Sequence, residues 1–150
     1  MLQITVPKTE VFNENTNQFL WIPETTIQME HSLVSLSKWE EKHHKAYLDP
    51  KLQHSATEIL DYFKCMTITE NVKDSVFLAL SQRNIEEISS YINDPMTATT
   101  FNEMGTTKKH NGKFITSEYL YFCMFSLGVP IECEKWHLNR LMTLLKIFEE

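Results

Sequence analysis

The hydrophobic period of this chain changes once, at Ser32, and that change limits its fold more than any other feature. Before it, Leu2, Ile4 and Val6 alternate with Gln3 and Thr5, the spacing of a half-buried strand, and Pro7 ends the run. Residues 10–12 and 18–22 flank Asn13-Glu14-Asn15-Thr16-Asn17. Short polar side chains of this kind bond their own backbone and tolerate positive φ, so the stretch predicts a hairpin with Phe12, Phe19 and Trp21 as its apolar content. After Pro23, Ile27 and Met29 alternate with Thr26, Gln28 and Glu30, again at strand spacing. A small antiparallel sheet is therefore expected over roughly the first thirty residues.

From Ser32 onward the spacing is helical. Ser32 is placed to cap a helix carrying Leu33, Leu36 and Trp39 and running to about His44. Residues 57–66 place Ile59, Leu60 and Phe63 on one helical face. Residues 71–80 fit a helix through Val72, Val76, Phe77 and Leu80, although Val76 to Leu80 also fits a short buried strand; a helix is expected. Asn84 is expected to cap a short helix over residues 85–93, which Asp94-Pro95 stops. Residues 96–115 show no sustained period and predict a loop, with strand fragments at 97–101 and 113–115. Thr116 or Ser117 then caps residues 118–127, apolar nearly all the way round, which predicts the central core helix, ended by Gly128 and Pro130. The last element is expected over residues 132–148. The class is α+β: one domain over residues 1–150, with a β-hairpin region at 1–31 and a mainly helical bundle of about five helices at 32–150.

Composition narrows function mostly by exclusion. Fourteen Lys and Arg against twenty Asp and Glu give a net charge of −6, which argues against a counterion-releasing grip on nucleic acid. The basic run Lys108-Lys109-His110-Asn111-Gly112-Lys113 is read as a loop. Cys65, Cys123 and Cys133 are odd in number and form no C-x-x-C, which fits a reducing compartment. No basic stretch leads an apolar run at the N-terminus, and the longest nearly uncharged apolar stretch, residues 119–131, is shorter than the ~20 residues a membrane span needs. The product is expected in the cytosol where it is made, without a membrane partner.

No cofactor, metal or catalytic residue is expected. The six histidines form no H-E-x-x-H or zinc-finger spacing, and three isolated glycines cannot cradle a phosphate. There is no G-x-S-x-G elbow, although a triad assembled in space would leave no linear motif. His43-His44 reads as a solvated, basic helix end. On the last helix Trp136, Arg140, Thr143 and Ile147 form a stripe distinct from Leu138, Leu141, Leu145 and Phe148. Either one face packs and the other meets water, or Trp136 and Arg140, types enriched in binding hot spots, anchor a partner.

Three stretches carry a resemblance: Thr26-Ile27-Gln28-Met29-Glu30-His31-Ser32-Leu33-Val34-Ser35-Leu36-Ser37-Lys38-Trp39-Glu40, Tyr91-Ile92-Asn93-Asp94-Pro95-Met96-Thr97-Ala98-Thr99-Thr100, and Trp136-His137-Leu138-Asn139-Arg140-Leu141-Met142-Thr143-Leu144. Together they resemble small tail-region proteins of tailed bacteriophages, described as tail assembly chaperones. The resemblance implies a non-enzymatic helper in the host cytoplasm that binds the helix-rich tape measure protein during tail assembly, and it leaves self-association into a homo-oligomer open. No binding residue of the family transfers; by residue type, Trp39, Trp136, Arg140 and Leu144 are the partner-binding candidates, with a client helix lying in a groove between helices. The alternatives are a structural virion protein, such as a tail or head completion component, or an unrecognised enzyme or host-defence inhibitor.

Overall fold

The computed structural model describes residues 1–99 and 115–149. The fold is α+β, a front of antiparallel strands followed by helices, as the change of period predicts. Strands β1 (Leu2–Val6) and β4 (Thr25–Met29) form one ladder, and β2 (Thr9–Asn13) and β3 (Gln18–Ile22) form another. Val6 faces Thr25 and Thr9 faces Ile22, so the register runs without a slip across Pro7-Lys8 and Pro23-Glu24. The expected sheet is thus one long ribbon, creased in the middle where each strand carries a proline that cannot donate to a ladder. The crease uses one local device twice: the Thr9 hydroxyl donates to the Pro7 carbonyl and the Thr25 hydroxyl to the Pro23 carbonyl, both at 2.9 Å. At the tip, the Asn15 amide donates to the Asn13 side-chain oxygen and Asn17 takes a φ of 56°, the positive φ that the polar cluster predicts.

The proximal half of the ribbon is enclosed. Ile4, Val6, Ile27 and Met29 are buried on its inner face. One edge is sealed by the chain leaving the second helix: the Ile68 amide donates to the Gln28 carbonyl at 2.7 Å and the Gln28 amide to the Thr69 hydroxyl at 2.9 Å. At the other strand, the Asn84 side-chain amide donates to the Thr5 carbonyl at 3.0 Å. Paired or covered edges of this kind leave no template for another strand.

Helix α1 (Leu33–His43) is the central one, packing on α2 (Ala56–Met66), on α5 (Ser117–Leu127) and on a 3₁₀ turn at Ile131–Lys135. Ser32 and Ser35 form a reciprocal capping box at its start, and His44, at φ 56°, closes it. Leu33, Leu36 and Trp39 are fully buried. Helix α3 is shorter than expected, Asp74–Leu78, because Asn71 takes a positive φ and breaks the run. Helix α4 (Gln82–Asn93) starts earlier than expected: Ser81 is its cap, and Asn84 is the third helical residue, whose side chain returns to accept from the Ser81 amide.

Two further expectations need correction. Helix α5, capped by Thr116 and ended by Gly128 at φ 71°, fully buries only Ser117, Leu120 and Met124, with Tyr121, Cys123 and Leu127 half-buried against the core, so it is not the enclosed core helix. It packs on α1 and α6, and its apolar far side stays open. The last element is not continuous over residues 132–148: the 3₁₀ turn ends at Lys135, Trp136 is extended, and α6 begins at Leu138 and runs to Glu149. The strand fragment at 97–101 is absent over residues 97–99. The fragment at 113–115, the basic run at 108–113 and most of the predicted loop lie outside the described residues.

Candidate functional site: an aromatic arm

Side chains directly opposite one another on an antiparallel ribbon share a face, and the face alternates along each strand. In the proximal half Ile4 with Ile27 and Val6 with Thr25 share the inner face; in the distal half Glu10 with Trp21 and Phe12 with Phe19 share one face. Beyond the crease the chain's helices no longer lie beneath it. Phe12 keeps 45% of its surface exposed, Phe19 66% and Trp21 61%. The Phe12 and Phe19 rings meet at 5.1 Å, and the Lys8 ammonium sits 5.0 Å over the Trp21 ring. On the opposite face Ile22 tucks into the core beside the crease, which anchors the base of the arm.

The four residues singled out from sequence do not form one site. Trp39 is fully buried, which corrects its reading as a partner contact: its indole N–H donates to the Glu58 carbonyl at 2.9 Å and its ring stacks on His43 at 4.5 Å. Trp136 is half-buried, and Arg140 lies exposed with its guanidinium 4.3 Å from the Trp136 ring centroid, so the structure brings these two together. Leu144 is half-buried against the core. The aromatic arm was named from sequence only as the content of a hairpin. The signal that marks it is the pair of prolines, one in each strand, ahead of an aromatic tip.

Four of the six histidines, His31, His43, His54 and His137, are packed against other rings. His43 is half-buried and bonds Asp61 at 3.0 Å, so the expected solvated helix end holds for His44 and not for His43. Tyr47 stacks on Tyr62 at 3.9 Å and on His54 at 4.6 Å. His31 meets Tyr62 and His137 edge-on, and burial, assisted by His137, lowers its pKa from 6.5 to about 4. His137 has partners on both nitrogens: the Asn139 amide donates to Nδ1 at 3.2 Å, and Nε2 lies 2.7 Å from the Tyr91 carbonyl, which can only accept. Among the described residues no group of three or more His, Cys, Asp or Glu is placed to hold a metal.

Two concavities, of about 540 and 640 Å³, are open grooves. The larger lies between α1 and the start of α5, where one Glu40 carboxylate oxygen accepts both the amide and the hydroxyl of Ser117, at 2.9 and 2.8 Å. That pair fixes α5 on α1. Among the described residues no helix is long and apolar enough to cross a membrane. Compared with protein-family models, curated proteins and solved structures, the chain finds no match in any of the three.

Proposed function

We propose that this chain is a non-enzymatic polypeptide-binding protein and that the aromatic arm is its docking surface. The observation that carries the reading is the exposed aromatic face of the β2–β3 hairpin: Phe12, Phe19 and Trp21 share one side of the ladder and are presented to solvent, while Ile22 on the other side holds its base in the core. A contiguous exposed aromatic patch on a structured element is the form that protein interaction sites take. The open grooves, which lack the enclosure of small-molecule sites, support binding over catalysis. Joined to the bacteriophage resemblance, the arm supports reading the chain as a tail assembly chaperone in the host cytoplasm, with an apolar helical face of the tape measure protein as its client.

Co-expression with the tape measure protein, followed by pull-down, tests the reading. The full chain should keep the client soluble and co-purify with it, and Phe19→Ser with Trp21→Ser should abolish capture. A client that stays insoluble beside the unaltered chain, or one captured equally by the substituted chain, refutes it. Mass spectrometry of purified particles adds a separate check, since a chaperone is missing from them and a structural component is retained.

A further inference from the structure

Helix α6 is tied to the rest of the fold at its first residues. The Leu138 amide donates to the His31 carbonyl at 2.6 Å, and the Asn139 side-chain amide donates to the Ile92 and Asp94 carbonyls at 2.9 and 2.8 Å. These bonds join α6 to the ends of β4 and α4. Beside them stands His137, 3% exposed. Its carbonyl accepts the Leu141 amide at 3.1 Å and its Nδ1 accepts the Asn139 amide at 3.2 Å, so an imidazole fills the N-cap position of α6. Nε2 meets the Tyr91 carbonyl at 2.7 Å and must carry the hydrogen, which leaves the lone pair of Nδ1 for the cap.

The other side-chain caps are of a different kind. Ser32, Ser55, Ser81 and Thr116 cap α1, α2, α4 and α5 through hydroxyls, whose acceptor lone pairs do not depend on pH. An imidazole can cap only while it is neutral. A proton on Nδ1 turns the acceptor into a donor that faces the Asn139 N–H, and it places a cation at the positive end of the α6 dipole.

The surroundings give that cation no counter-charge. Round the ring stand the His31 imidazole at 5.3 Å and the Tyr91 ring at 4.8 Å, with Tyr62 of α2 behind His31. At the end of β4, Glu30 already accepts the Tyr91 hydroxyl and pairs with the Met1 amine; at the end of α4, the Asp94 carboxylate accepts the Met96 amide. In the 3₁₀ turn Glu134 accepts the Tyr121 hydroxyl, and Lys135 there and Arg140 on α6 are themselves cations. Among the described residues the histidines that pair with a carboxylate are His43, with Asp61, and His54, with Glu58.

We infer that His137 is an acid-operated latch: neutral, it holds the first turn of α6 on the ends of β4 and α4, and protonated it lets that turn go while the hydroxyl-capped helices stay in place. The inference does not depend on what the arm binds. His31 does not work the latch above pH 5.5, because burial, and then His137, hold its pKa at about 4.

Amide exchange followed by NMR on the full chain at pH 7.5, 6.5 and 5.5, with each rate divided by the intrinsic rate at that pH, tests this. The Leu141 amide, bonded to the capping residue of α6, has an internal control in the Leu36 amide, bonded in the same way to Ser32 of α1. Protection of Leu141 should fall roughly fivefold from pH 7.5 to pH 5.5, the effect of losing one cap, while Leu36 holds. His137→Asn keeps a side-chain oxygen for the cap and does not titrate, so its Leu141 amide should stay protected throughout. Nitrogen–proton correlation spectra of the imidazoles follow the unaltered chain without any substitution: His137 Nδ1 should gain its proton over the pH interval in which Leu141 loses protection. Leu141 protection that stays constant in the unaltered chain, an equal fall in a folded His137→Asn chain, or a His137 ring that remains neutral while protection falls, each overturns the inference.

Discussion

The two halves of the ribbon have the same strands, the same pairing and an unbroken register, yet opposite surroundings. Ile4, Val6, Ile27 and Met29 in the proximal half have almost no contact with water, while the more aromatic distal half is open. Apolar content does not separate them. Enclosure does: α4, the residues after α2 and the core beneath reach only as far as the crease. A lone two-stranded hairpin is marginally stable in water, and here the distal ladder is held by continuity with a ladder that is itself buried. Covering a side chain as large as Trp21 or Phe19 releases about 1.5–3 kcal/mol of hydrophobic free energy. In the proximal half that free energy has gone into folding; in the distal half it is available for association.

The largest predicted effect lies in the enclosed region. Trp39→Ala removes a fully buried ring and its bond to the Glu58 carbonyl, and should cost about 3–5 kcal/mol in a urea titration. A loss below about 1 kcal/mol would mean that Trp39 is not core and would restore it as a contact residue.

Next comes the acid response of the junction behind β4. His31 has a folded pKa of about 4 against an ordinary 6.5, caused by burial and then by His137. Between those values the unfolded chain takes up a proton that the folded chain refuses. The stabilisation from neutral His31 is complete above pH 6.5 and falls away as pH drops to 4, by about 3 kcal/mol in all. His31→Phe should flatten that slope in stability measured from pH 7 to pH 4. Parallel curves for the two chains would show that the junction does not exclude the proton.

The smallest effect belongs to the arm. Trp21→Ser should change folding stability by less than about 0.5 kcal/mol, because the ring already meets water in the folded state. A shift in thermal midpoint comparable to that of a core substitution would erase the contrast between the two halves.

Much of the architecture was legible because local chemistry decides it. Ser32 caps α1, Gly128 ends α5, and the polar cluster at Asn13 to Asn17 turns the hairpin, each through backbone groups within a few residues. Ser81 and Asn84 show the limit of that legibility. Both are good caps at three-residue spacing, and the reciprocal bonds between them make each a plausible start until the structure shows which one leads. Contacts between distant segments were harder to read. Periodicity says which residues share a face, not whether another element arrives to cover it. So periodicity leaves open that Trp39 is sealed by Tyr47 and His54, and that α5, expected as the core helix, keeps Phe122 exposed.

The seam between the ribbon and α1 is closed from far along the chain. The Leu138 amide donates to the His31 carbonyl at 2.6 Å, and Ser32 bridges to His137. During synthesis the strands and α1 leave the ribosome long before α6 does, so the nascent molecule must wait with that seam unsealed. Maturation is therefore gated by translation of its distal segment, and contacts this remote in sequence make for slow closure.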